Sequence, residues 1–330
     1  MPDTKILGTS IQDITEGANI IRRGGLVAFG TETVYGLGAN AFDHEAVAAI
    51  YKAKGRPSDN PLIVHIHDRS TIKDLARDIP VAAVMLIKKF WPGPLTLVLN
   101  RKSIVPDIVT GGLDTVAVRM PDSAVALDLI KQCGVPLCAP SANRSGRPSP
   151  TAAAHVLEDL DGMIDAVIDS GACNVGVEST VVDLTSDIPR ILRSGGISKE
   201  ELESVLGILD ETEHTGKALA PGMKYRHYAP SCKMVYIPYS SNMVATANEE
   251  YDKNPNAVIV CLSSLADSFG NRVVLCIGDT PKEYARNLFK TLRESEKTFD
   301  TIIALGIEEV GIGVSVANRL KKASGIDDVL

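Results

Sequence analysis

The sequence predicts an α/β protein of two domains, a larger one around a mixed sheet with flanking helices and a smaller one after it. Three observations predict it. Over the first two hundred residues, short apolar runs alternate with amphipathic stretches of helical spacing. A polar, charged interval at residues 208–218 breaks the alternation, and from residue 233 it resumes. The 330 residues are 45% hydrophobic and 23% charged, which suits buried cores and excludes a disordered, collagen-like or disulfide-stapled chain.

Residues 13–23 carry Ile14, Ala18 and Ile21 at helical spacing and stop at Gly24 and Gly25, so a helix is expected there. Leu26 to Phe29 follows as a short buried strand. Asp43 suits the N-cap of a helix over 43–53, whose Val47, Ile50 and Tyr51 share one face. Further strands are expected at 62–66, 95–99, 115–119, 135–139 and 179–184, with helices at 70–77, 81–90, 123–133, 151–159 and 198–206. In the second part, strands are expected at 233–237, 257–261, 272–276 and 300–305, with helices at 242–251 and 281–295. The domains are therefore read as 1–207 and 233–330, joined by an exposed linker over 208–232 that contains the aromatic and basic stretch LAPGMKYRHYAP at 219–230.

Several function classes drop out early. Lys88, Lys89 and three prolines break the longest apolar window, residues 79–99, so no membrane span is expected. No basic start followed by an apolar run opens the chain, and a cytoplasmic location is the default. The six cysteines form no C-x-x-C pair and read as small buried thiols. Net charge is −7, with acids outnumbering bases on both sides of residue 207, which argues for weak or no direct nucleic-acid binding. Neither a P-loop, a strand-linked G-x-G-x-x-G, an H-E-x-x-H nor a G-x-S-x-G is present.

The polar residues that remain gather at strand ends. TETVYGLGANA (31–41) follows a buried strand with hydroxyls, an acid and two close glycines, Gly36 and Gly38, that admit a ligand or a neighbouring backbone. In KGRPSDNPLIVHI (54–66), Lys54 and Arg56 flank a glycine before a proline. The segment is expected to be extended, with both cations on one side and an anion between them, although a solvated basic turn is the commoner use of such residues. His65 lies in the adjoining strand, and with His67 alone it makes no metal site. PLCAPSANRSGRPSPT (136–151) leaves a strand and offers Ser141, Asn143, Ser145 and Ser149 as donors, with Arg144 and Arg147 as cations. Thr115 and Arg119 fall on one face of a strand, and a buried Arg119 needs a partner, for which a substrate carboxylate is suited. Glu178, Ser179, Thr180 and Arg193 complete a set without an evident nucleophile. It suits a polyanion and a small zwitterion, with catalysis by positioning and charge stabilisation.

These segments, together with WPGPLT (91–96), DTVAVRMP (114–121), APSAN with RPSPT, GVESTVVDL (176–184) and ILRSGG, resemble the YrdC/Sua5 family in order and spacing. The tail, with LAPGMKYRHYAP and GIGVSVANRLKKASG (311–325), is similar to the long Sua5 form. The resemblance implies a YrdC-like domain with a twisted mixed sheet and a Rossmann-like C-terminal domain. It also implies the family's activity, threonylcarbamoyl-AMP synthesis from L-threonine, bicarbonate and ATP, with release of pyrophosphate, in the service of t6A modification at tRNA position 37. By similarity, Thr33, His65, Arg119, Ala139 and Ser179 would contact threonine. Arg56, Asn60, Thr115, Ser141, Asn143, Ser149, Arg193 and Tyr228 would contact ATP, with the linker as a lid. Lys54 and Arg56 would carry the catalysis, and Mg²⁺ would accompany the nucleotide without protein ligands. A downstream t6A-transferase is a possible partner. Gly30 stands where the family has proline. Two other readings are open. One is a carbamoyl-transfer enzyme of the hydrogenase-maturation kind, which would need zinc-binding cysteine pairs. The other is a non-catalytic module for double-stranded RNA or tRNA.

Overall fold

The structure, a computed structural model, describes residues 3–210 and 227–326. It forms two compact units. Among the described residues, the first takes those up to 145, 150–174 and 178–210, and the second takes 146–149, 175–177 and those from 227 onward.

The first unit holds ten strands: β1 (Lys5–Leu7), β2 (Val27–Gly30), β3 (Tyr35–Asn40), β4 (Ile63–His65), β5 (Leu95–Asn100), β6 (Thr115–Arg119), β7 (Leu137–Cys138), β8 (Ala166–Ile168), β9 (Thr180–Asp183) and β10 (Arg190–Arg193). They join in one mixed sheet, ordered β1-β8-β2-β3-β7-β4-β6-β5-β9-β10. Alternation along the strands sorts its two faces. Val64, Leu97, Leu99, Val116, Val118 and Val182 enter the main core with the helices His44–Lys54 and Val81–Phe90. Their neighbours Ile63, Val98, Ala117 and Val181 form a separate small patch on the opposite face, with Leu192 against it.

The helices follow the capping chemistry of the sequence. Asp43 accepts from the backbone N–H groups of Glu45 and Ala46, and Ser123 from that of Ala126. Ser198 and Glu201 close a capping box on the helix Lys199–Leu206. Strands β1, β3, β8 and β10 have no counterpart in the sequence expectations, nor has the helix Ile312–Ser324. Two of those strands have only three residues, too few to show a period. β3 reads as a turn because of its glycines, yet it pairs antiparallel with β2 across Val27 and Gly38. A Cβ at Gly38 would come within 2.7 Å of the Phe29 ring, so this glycine makes room for a side chain of the neighbouring strand rather than for a ligand.

The second unit contains the strands β11 (Lys233–Ile237), β12 (Ala257–Cys261), β13 (Val274–Cys276) and β14 (Thr301–Leu305), all parallel in the order β11-β14-β12-β13. Its core gathers Ile237, Ile259, Phe269, Ile303 and Leu305. Among the described residues no helix is long and apolar enough to cross a membrane.

Candidate active site

Sheet register brings residues from distant parts of the sequence into one row. His65 on β4 lies opposite Arg119 on β6, Arg119 opposite Thr96 on β5, Thr96 opposite Val181 on β9, and Val181 opposite Arg193 on β10. At sheet spacing this row of five strands spans about 19 Å. It borders the small apolar patch of Ile63, Val98, Ala117 and Val181, so polar and cationic side chains stand beside an apolar floor on one face.

Arg119 is the hub. It is only 4% exposed, and its guanidinium donates to Thr33 Oγ1 at 2.9 Å and, through Nε, to the Gly93 carbonyl at 3.3 Å. The same group forms an ion pair with Glu32 at 2.7 Å. The expectation that a buried Arg119 needs a partner is met inside the protein by this carboxylate, which sequence reasoning passed over although it lies between Thr31 and Thr33. Thr31 donates its one hydroxyl hydrogen to the Val34 carbonyl at 2.6 Å. Thr33, 2.8 Å away, therefore donates to Thr31 while accepting from Arg119.

His65 is buried, edge-on to Phe29, with Nδ1 3.1 Å from the Ile63 carbonyl. A carbonyl at that distance requires the hydrogen on Nδ1, leaving Nε2 as an acceptor. Burial, and after it the Arg119 charge, lower its pKa to about 3, so the imidazole is neutral at ordinary pH. Ser179 shares a hydrogen bond of 2.8 Å with Thr96, and its hydroxyl and carbonyl both accept from Arg193. Thr96 is the second residue that sequence reasoning passed over; its position in register with Arg119 could not be read before the strands were paired. Ala139 continues from β7, its N–H bonded to the Ile63 carbonyl. Thr33, His65, Arg119, Ser179 and Arg193 are thus joined by direct bonds or by register, with Ala139 next to β4.

Lys54 and Arg56 differ from expectation in conformation. Lys54 is the last residue of the helix His44–Lys54, and Gly55 caps it in the left-handed region at φ 61°. The segment is therefore not extended, and the alternation that was to set both cations on one side does not apply. Lys54 is 3% exposed, and its ammonium donates to the carbonyls of Ser141 and Asn143. It ties the helix end to the loop after β7, where Ser141 donates to the Asn143 side chain at 2.6 Å and the Ser145 N–H bonds back to the Lys54 carbonyl. Arg56 donates to the Pro61 carbonyl at 3.2 Å and, more weakly, to that of Asn60. Asn60 is 1% exposed, and among the described residues neither atom of its amide has a hydrogen-bond partner. Thr115 opens β6, on the same face as Arg119 and about 13 Å from it along the strand.

Ser149 and Tyr228 belong to the second unit. Tyr228 stacks on Phe289 with ring centroids 5.2 Å apart, and the Arg319 guanidinium lies 5.6 Å from its ring. Within that unit Glu296 accepts from Arg147 at 2.6 Å and from the backbone and hydroxyl of Ser231, joining the segment before Ser149 to the one after Tyr228. Most of the expected lid lies outside the described residues. Gly30 has a local reason: a Cβ there would come within 2.0 Å of Ser170 Oγ. All six cysteines are unpaired with one another, four of them buried, and burial holds the thiols of Cys133, Cys138, Cys173 and Cys261 up at about 12. Among the described residues no cluster of His, Cys, Asp and Glu could hold a metal ion.

Residues 19–195 match the family Sua5_yciO_yrdC, described as "Telomere recombination", and residues 197–325 match Sua5_C, "Threonylcarbamoyl-AMP synthase, C-terminal domain". The threonylcarbamoyl-AMP synthase of Pyrococcus abyssi is 51% identical over 93% of both chains. That of Bacillus subtilis is 44% identical over 98% of this chain and 96% of its own. A crystal structure of P. abyssi Sua5 complexed with L-threonine superposes with a TM-score of 0.91 at 48% identity, covering 98% of each chain.

Proposed function

This chain belongs to the threonylcarbamoyl-AMP synthase family, as an enzyme of the nucleotidyltransferase type, and from that premise we propose that it joins L-threonine, bicarbonate and ATP into threonylcarbamoyl adenylate and pyrophosphate. The observation that carries the reading is the row His65–Arg119–Thr96, with Thr33 bonded to Arg119 and Ser179 to Thr96, beside an apolar floor. The P. abyssi relative solved with threonine supports the amino acid as the occupant of this end.

In the proposed reaction the threonine amine attacks the carbon of bicarbonate. The ammonium has first given up one proton to solvent to become that amine; water then leaves, and a carbamate anion forms. One carbamate oxygen then attacks the α-phosphorus of ATP; the new O–P bond forms as the bond to the β-phosphate oxygen breaks, and pyrophosphate departs. The nucleophile is the substrate's own anion, so the protein's task is to position it and to offset repulsion from the triphosphate. Neutral His65 accepts through Nε2 and suits threonine's hydroxyl, a contact that a substrate without that hydroxyl would leave unmade. Arg119 suits the carboxylate. Asn60 offers a donor for ribose or phosphate, Ser141 could donate only by giving up its bond to Asn143, Asn143 and Thr115 offer an amide and a further hydroxyl, and Arg56 and Arg193 the charge. Ser149 and Tyr228 are assigned to the nucleotide as well. Lys54 acts through the Ser141–Asn143 loop that it holds. Mg²⁺ would enter bound to ATP and neutralise phosphate charge, and the donors at this end are of the kind that bind phosphate rather than the metal. The product would pass to a t6A-transferase in the cytoplasm.

Pyrophosphate release tests this, with threonine and bicarbonate each omitted in turn. Release that requires both, with formation of a threonine-containing adenylate, is the expected result. Release independent of threonine would overturn the reading.

A further inference from the structure

We infer that Glu32 is a substrate-recognition residue: its carboxylate receives the α-ammonium of the amino acid whose carboxylate Arg119 takes. The inference rests on threonine as the substrate of this end of the sheet.

Glu32 is 9% exposed, so bulk water does little to solvate its charge. Its ion pair with Arg119, 2.7 Å long, supplies an opposite charge. The hydrogen-bonding capacity of the carboxylate is nonetheless unused. Among the described residues neither of its oxygens receives an aligned hydrogen bond. An ionised carboxylate offers about four lone-pair sites, and leaving them unmet in the interior is costly. Neighbouring polar groups are engaged elsewhere. Thr31 donates to a backbone carbonyl, Thr33 donates to Thr31, and the Arg119 hydrogens that align go to Thr33 and Gly93. The thiol of Cys173, close enough for Glu32 to raise its pKa, is a weak donor.

What fits there is a group rich in donors and positively charged, bound beside a group that needs the Arg119 guanidinium. An α-amino acid carries both, an ammonium with three hydrogens and a carboxylate, separated by one carbon. With no ligand bound, Glu32 and Arg119 neutralise each other. A zwitterion inserted between them gives each charge a partner and leaves the site's net charge unchanged, avoiding a buried unpaired ion. The arrangement discriminates against simple hydroxy acids, which bring the carboxylate and hydroxyl but would set a second anion near Glu32 with nothing to offset it.

The test compares L-threonine with (R)-3-hydroxybutanoate, the same molecule without its amino group, by calorimetric titration of the full chain. Wild-type protein should bind threonine at least 10²-fold more tightly. Glu32→Gln should weaken threonine about 10- to 100-fold, the range for a lost charged hydrogen bond, and bind hydroxybutanoate as well as or better than before. Glu32→Asp should recover part of the preference. In turnover, Glu32→Gln should raise KM for threonine while leaving KM for ATP within twofold. Parallel weakening of both ligands, or no change in either, overturns the assignment and leaves the proposed reaction standing. Failure of wild-type protein to bind threonine overturns both.

Discussion

Replacing Lys54 by methionine removes an ammonium while keeping an unbranched stem of similar length, so the packing of the helix end changes little. What changes is the pair of carbonyls, Ser141 and Asn143, to which the ammonium donates from a site 3% exposed. A hydrogen bond from a charged donor contributes about 1.5–3 kcal/mol. With partial relaxation of the loop, losing two should destabilise the first unit by about 3 kcal/mol. At 2–4 °C per kcal/mol for a unit of this size, the melting midpoint should fall by about 6–12 °C. Threonine-dependent pyrophosphate release should fall at least 10²-fold at a temperature where the variant is fully folded, because the loop carrying Ser141 and Asn143 is no longer held. Differential scanning calorimetry and a steady-state pyrophosphate assay on one preparation measure both. Lost activity with an unshifted midpoint would refute the loop-holding account and leave a direct action on the substrates. A shifted midpoint with normal turnover would refute any role in the reaction.

Arg119→Lys cannot reproduce the fork that meets Glu32, Thr33 and Gly93 together; a loss of threonine affinity of at least tenfold by calorimetry is expected, and retained affinity would sink the hub role. Asn60→Ala removes an amide that has no partner among the described residues, so the melting midpoint should hold or rise slightly while KM for ATP rises about tenfold; a large stability loss would contradict this. His65 has its pKa lowered to about 3 in the folded chain, against 6.5 when exposed, so between these values the unfolded chain binds the extra proton. Stability should therefore drop as pH falls below 6.5, by up to about 1.4 kcal/mol per pH unit, relative to His65→Gln measured alongside. Equal pH slopes for the two proteins would show that His65 titrates normally in the fold.

How much of this was legible in the sequence depended on whether the signal was local. The helix Pro281–Ser295 and the strands β6 and β12 carry their own periodicity and caps, and they occur at the expected positions. The strands β1 and β8 become strands only by pairing with each other and with β2, and three residues hold no period. The site divides in the same way. That Arg119 is buried and paired follows from its apolar strand; that the partner is Glu32 depends on the close approach of the 31–33 turn to β6, a relation across 87 residues. Lys54 departs from the sequence expectation for a local reason. Gly55 followed by Arg56 and proline reads as extended chain, but a glycine at the end of a good helix more often supplies its left-handed cap.

The polar groups of the first unit separate into those the fold has satisfied and those it has not. Thr31, Thr33, Thr96, Ser179 and Lys54 bond to one another, to backbone or to Arg193, and they hold their neighbours in place whether or not a substrate is present. Glu32 and Asn60 are buried with hydrogen-bonding capacity unused. Asn60 in this state weakens the fold, and a sequence selected for stability alone would replace it with an apolar residue of similar size, whereas Glu32 cannot be so replaced without leaving the buried Arg119 unpaired. Glu32 is assigned to the amino acid and Asn60 to the nucleotide. A reaction whose nucleophile comes from the substrate asks the protein chiefly to hold two ligands in contact, and preorganised but unmet donors and acceptors do that at least reorganisation. If so, Glu32→Gln and Asn60→Ala should act on different substrates: the first on KM for threonine alone, the second on KM for ATP alone, with the double variant showing the product of the two effects. Coupling beyond threefold in either constant would mean that the two groups are not independent.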